Sequence, residues 1–99
     1  MSGNLAPKNP ATRFRVLVVE DEVDMALGLR NNLEIEGYEV AVAASGSETL
    51  EVFQTFGPHL VLLDLILPDI DGLGVLRQLR TTDAHVSIVI LSAKTAEVD

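Results

Sequence analysis

The sequence predicts an open, doubly wound α/β sandwich built on a parallel sheet. Two observations predict it. Short runs rich in valine and leucine alternate strictly with segments of helical periodicity, as right-handed βαβ crossovers require. These runs are nearly continuous in apolar character rather than alternating, which is the pattern of strands covered on both faces. A length of 99 residues suits one domain. With 47% apolar and 22% charged residues the chain can bury a core.

Residues 14–19 (FRVLVV) read as the first strand, which stops abruptly at Glu20, Asp21 and Glu22. From Asp24 onward Met25, Ala26, Leu29 and Leu33 share one face at helical spacing, and Gly37 supplies a left-handed stop. Residues 38–43 form a second strand. Ser45 and Glu48 then match a capping box, opening a helix that should bury Leu50, Phe53 and Phe56 before Gly57 and Pro58 close it. Residues 59–63 (HLVLL) are a third strand, again ending in an acid, Asp64. After a loop containing Pro68, Asp71 caps a third helix with Leu73, Leu76 and Leu79 inward and Arg77 and Arg80 outward. Residues 81–84 turn into a fourth strand, residues 86–91 (VSIVIL), followed by Ser92.

Composition narrows the function classes. Fifteen acidic residues against seven basic ones give a net charge of −8, which repels phosphate backbones and anionic headgroups, so direct nucleic-acid binding by this chain is not expected. Zero cysteines exclude disulfides, thiolate zinc sites and a cysteine nucleophile. Residues 1–12 hold two prolines and one lysine but no apolar stretch, and are expected to be a flexible leader rather than a secretory signal. Ser2 removes the myristoylation reading. The apolar run at residues 60–67 is interrupted by Asp64 and too short to cross a bilayer. A cytoplasmic protein without membrane contact is expected.

In open parallel sheets ligands bind beyond the carboxyl ends of the strands, where the winding reverses. Glu20, Asp21, Asp64 and Ser92 all lie at such ends. Singly, each has an ordinary explanation: the acidic run is a solvated loop, and Asp69 and Asp71 are turn and cap residues. His59 precedes a strand and His85 lies in a turn, so both are read as structural or solvent-facing. Asp64 is harder to dismiss, because an acid closing an apolar strand needs solvent or a partner.

Together, Val18-Val19-Glu20-Asp21-Glu22, residues 62–72 (LLDLILPDIDG) and Ile90-Leu91-Ser92-Ala93-Lys94 resemble the receiver domain of bacterial two-component response regulators. Three motifs in family order at strand ends are far more specific than any one of them. The resemblance implies a flavodoxin-like topology with strand order 2-1-3-4 and the family's fifth strand and last helices missing. Residues 13–99 are therefore expected to be a receiver domain incomplete at its C-terminus. It further implies that Asp64 accepts a phosphoryl group from a sensor histidine kinase or phosphotransfer protein. Glu20, Asp21, Asp64 and the backbone carbonyl of Ile66 would bind Mg²⁺ or Mn²⁺. Ser92 would be the hydroxyl that turns toward the phosphoryl group, with Ala93 as its small neighbour. Such a chain is a self-phosphorylating acceptor in a phosphorelay, not a turnover enzyme.

The family's fifth-strand lysine has no positional match here, since the only lysines are Lys8 and Lys94. A truncated receiver with an uncovered fourth strand is expected to self-associate through it. Glu36-Gly37-Tyr38 and the loop at residues 67–72 are similar to receivers that precede winged-helix DNA-binding domains, so a role in transcription regulation would depend on such an output domain. Two other readings stay open. One is a phosphorylation-independent interaction module that binds a kinase or another receiver. The other is a metal-dependent aspartyl phosphatase, disfavoured because Ile66 stands where a second acid is usual.

Overall fold

The structure, a computed structural model, describes residues 13–65 and 71–92. Its elements are β1 (Arg15–Val19), α1 (Val23–Ile35), β2 (Glu39–Ala43), α2 (Gly46–Phe56), β3 (Leu60–Asp64), α3 (Gly72–Thr82) and β4 (Ser87–Ser92). The strands form one parallel sheet in the order β2-β1-β3-β4, the predicted class and order. Asp69, with Ile66 and Pro68, falls outside the described residues, as do the leader and the residues after Ser92.

The alternation of side chains along each strand sorts the core into two layers. Leu17, Val19, Ala43, Val61 and Leu63 face one side, where Phe53 of α2 and Val75 and Leu79 of α3 cover them. Val16, Val18 and Val40 face the other, where Leu29 and Leu33 of α1 pack. The chain winds from β1 outward to β2, then crosses back to β3, so right-handed crossovers place α1 opposite α2 and α3. β1 is thereby buried on both faces, while β3 is buried on the α2–α3 side and half-buried at Leu60 and Leu62 on the other.

The helix boundaries follow local chemistry. Ser45 Oγ accepts from the Glu48 N–H at 3.2 Å, and Glu48 reaches back to the Ala44 N–H at 2.8 Å, one residue before the cap. Gly57 ends α2 in the left-handed region at φ 64°. At the amino-terminal edge of the sheet, Phe14 stacks on His59 with centroids 4.8 Å apart. His59 Nδ1 accepts from the Arg15 N–H at 2.9 Å, so His59 has the structural role expected of it.

Two expected helix faces are corrected. In α3, Leu73 is 45% exposed, whereas Val75 is fully buried beside Leu79. A strict three-residue repeat drifts around a helix of 3.6 residues per turn, and the face that docks is Gly72, Val75, Leu76 and Leu79. In α1, Met25 is 53% exposed and Ala26 is the buried residue of the first turn. Leu50 and Phe56 are half-buried rather than fully buried, and the fully buried residue of α2 that the periodicity missed is Thr49, whose hydroxyl donates to the Ser45 carbonyl at 2.7 Å.

Gly28 lies inside α1, and a methyl group placed there meets no atom within 4 Å. Gly28→Ala is therefore expected to stabilise the domain by about 0.5–1 kcal/mol, because alanine loses less backbone entropy on entering a helix. Thermal denaturation followed by circular dichroism measures this, and an unchanged or lower Tm would contradict it.

Candidate functional site

The two central strands deliver acids to one edge of the sheet. β1 ends at Val19, and the chain continues in register through Glu20, whose N–H donates to the Ala43 carbonyl at 3.0 Å. β3 includes Asp64 as its last residue. Because β1 and β3 are adjacent and parallel, their carboxyl ends coincide, and carboxylate oxygens of Glu20, Asp21 and Asp64 all lie within 4.8 Å of one another. This edge is the point at which the winding reverses.

Burial differs sharply among the three. Glu20 and Asp64 are only 5% and 8% exposed, while Asp21 is open to solvent. The acidic run is thus not simply a solvated loop. Glu20 Oε2 accepts from the Glu22 N–H at 3.1 Å, which fixes one oxygen. Burial raises the Glu20 pKa above 4.5; its bond from Glu22 works against that shift, and the charges of Asp64 and Asp21 and hydrogen bonding to Asp64 reinforce it. Clustered carboxylates of this kind are a hard, oxygen-preferring donor set whose mutual repulsion a divalent cation relieves.

Sequence reasoning missed two supporting residues. Glu22 is the N-cap of α1, its Oε1 accepting from the Met25 N–H at 2.9 Å. The three-residue spacing to the first helical turn was the available signal. Gly72, directly after the cap Asp71, approaches the backbone of Leu65, and nothing in the sequence pattern revealed that approach. Asp71 behaves as expected, its Oδ1 accepting from the Leu73 N–H at 3.2 Å. Ser92 closes β4 as the register partner of Asp64, on the same sheet edge. Ile66 and Ala93 lie outside the described residues. An open cleft of about 220 Å³ between α1 and the end of β2 runs up to Glu20 and Asp21 but is not lined by Asp64.

The family model of the response regulator receiver domain matches residues 16–99. The chain belongs to this family. Among curated relatives, the DNA-binding response regulator MtrA of Mycolicibacterium smegmatis is 46% identical over 87 residues, covering 88% of this chain and 38% of MtrA. The chain thus spans little more than a third of the length of that relative. The non-phosphorylated HemR receiver domain from Leptospira biflexa superposes with a TM-score of 0.79 at 29% identity, covering 84% of this chain and 67% of HemR. The response regulator TrrA from Thermotoga maritima, solved in complex with Mg²⁺-BeF, gives a TM-score of 0.69 at 29% identity, covering 86% of this chain and 92% of TrrA. Response regulators are signalling proteins, and their receiver domains act with histidine kinases or phosphotransfer proteins. Among the described residues, no helix is long and apolar enough to cross a membrane.

Proposed function

We propose that this receiver domain takes a phosphoryl group from a sensor histidine kinase or phosphotransfer protein onto Asp64. The convergence of Glu20, Asp21 and Asp64 within 4.8 Å at the ends of two central strands carries this reading. A carboxylate oxygen of Asp64 attacks the phosphorus of a phosphohistidine. The new P–O bond forms as the P–N bond breaks, and the imidazole leaves with the electron pair and takes up a proton from solvent. The product is an acyl phosphate. β3 holds the nucleophile against its neighbours, and the burial of Asp64 limits the water that competes with it.

The donor set fits Mg²⁺ or Mn²⁺ held by Glu20, Asp21, Asp64 and the carbonyl of Ile66. Such an ion neutralises charge on an anionic phosphoryl group approaching three carboxylates. Ser92, in register with Asp64, is proposed as the hydroxyl that reads the phosphorylated state. Residues 13–99 are proposed to act as a receiver joined in the whole protein to an output domain, with transcription regulation as its role; MtrA is by its name a DNA-binding response regulator. A cytoplasmic location is part of the same reading. So is self-association along β4, the outer strand of the described sheet, whose Val89 and Ile90 are exposed.

Incubation with Mg²⁺ and acetyl phosphate, followed by intact-mass measurement, tests the reading. The wild-type chain is expected to gain one hydroxylamine-labile phosphoryl group, and Asp64→Ala or added EDTA should abolish the gain. Absence of the adduct from a sample that circular dichroism shows to be folded would leave kinase or receiver binding as its activity. Sedimentation of the same sample reads self-association directly.

A further inference from the structure

We infer that Gly72 is a positioning residue for the acidic site: its missing side chain lets the start of α3 clamp the residue that follows Asp64. The inference rests on the proposed metal-bound phosphoacceptor reading and deepens it.

A Cβ at Gly72 would lie 2.5 Å from the carbonyl oxygen of Leu65 and 2.6 Å from its carbonyl carbon, and nearer still to its Cα. All three are backbone atoms, so no flexible side chain can swing aside, and real Cβ contacts essentially never fall below 3.0 Å. The approach is used: the Gly72 N–H donates to the Leu65 carbonyl at 3.1 Å. Leu65 thus stands between Asp64, which presents a carboxylate to Glu20 and Asp21, and Ile66, whose carbonyl completes the proposed ligand set. Across this contact the first turn of α3, itself fixed by the Asp71 cap, becomes a brace for the connection leaving β3.

Adding a single methyl group must push Leu65 and the start of α3 apart. Leu65 is bonded directly to Asp64, so the displacement reaches the carboxylate through one peptide unit. Metal–ligand distances in well-formed sites fall within about 0.2 Å of their characteristic values, and loss of an outer-shell support typically weakens metal affinity about 10–100-fold. A glycine needed only for folding behaves differently. Gly57 is such a residue: it holds φ 64° at the end of α2, before β3 begins, and at the opposite end of the sheet from the acids.

The test measures Mn²⁺ binding to the full chain by electron paramagnetic resonance for wild type, Gly72→Ala and Gly57→Ala, with circular dichroism melts alongside. Gly72→Ala is expected to weaken Mn²⁺ binding about tenfold or more, while Gly57→Ala lowers Tm and leaves affinity unchanged. Wild-type affinity in folded Gly72→Ala overturns the inference. No Mn²⁺ binding by wild type overturns the underlying site reading instead, so the two failures are distinct. Should Gly72→Ala not fold, amide exchange in the wild-type chain decides. Because coupling is reciprocal, saturating Mg²⁺ should slow exchange at the Gly72 N–H but not at the Gly57 N–H, which donates to Phe53 within the cap of α2. Unchanged exchange at Gly72 overturns the inference.

Discussion

Leu79→Ala is expected to destabilise the domain by about 2.7–5 kcal/mol, whereas Leu73→Ala, six residues earlier in the same helix, should cost less than about 1 kcal/mol. Leu79 is fully buried, packed with Val75 against Val61, Leu63 and Val86 beneath α3. Its truncation forfeits transfer free energy and leaves a cavity in a buried layer that includes Val61, Val75, Val86 and Phe53, whose stiff side chains limit collapse. Leu73 is 45% exposed and loses only part of its burial. Domains of this size hold about 5–15 kcal/mol in total, and each kcal/mol moves Tm by about 4–8 °C. Urea and thermal unfolding of the two variants therefore separate clearly. Equal losses would mean that the face of α3 presented to the sheet is not the one described.

Glu20→Gln should stabilise the metal-free protein at neutral pH, by about 1–3 kcal/mol. Two unit charges 4.8 Å apart repel by roughly 1 kcal/mol in water and roughly 3.5 kcal/mol at an effective dielectric of 20, and partial solvation through Asp21 keeps the value inside that range. The glutamine retains an oxygen to accept from the Glu22 N–H and gains a donor for Asp64. The pH dependence has a definite sign. Burial, reinforced by Asp64 and Asp21, raises the Glu20 pKa in the folded state above its unfolded value near 4.5. The folded state therefore binds this proton more tightly. Its contribution is fully present below pH 4.5 and is lost as pH rises through the folded pKa. The stability difference between variant and wild type should accordingly be small in acid and grow toward neutrality. Saturating Mg²⁺ should reverse the ranking, because ligand binding stabilises only a fold that retains its ligands. A wild type more stable than Glu20→Gln at pH 7 in EDTA would refute the repulsion argument.

Most of the architecture is legible in the sequence. Continuous apolar strands such as residues 14–19, and punctuation by Ser45, Gly57 and Asp71, encode the class, the element order and three helix ends. Topology then does the rest for the acids: once β1 and β3 are neighbours, Glu20, Asp21 and Asp64 must meet. What the pattern could not carry was depth. Glu20 reads as a water-facing end of a strand, yet it is buried: α1 begins only three residues later, and the Glu20 carboxylate turns in to accept from the Glu22 N–H at its start. Leu73 reads as core and is not, because three-residue spacing and helical pitch diverge within one turn. The Gly72–Leu65 contact is a close approach of two backbones, which leaves no periodicity behind.

The strand order also has a consequence for how the site is assembled. β1 meets β2 through a closure of 24 residues, Arg15 to Glu39, and β3 meets β4 through one of 27, Leu60 to Ser87. The seam between β1 and β3 joins Val16 to Leu60, 44 residues away. The entropy of closing a loop rises, slowly, with its length, so each of the two outer β-α-β units closes at a lower entropic cost than the seam between them. Glu20 and Asp21 belong to one unit and Asp64 to the other. A chain in which only these two units had formed would carry the three carboxylates apart, and a ligand that binds all of them at once favours the state in which the two halves have met.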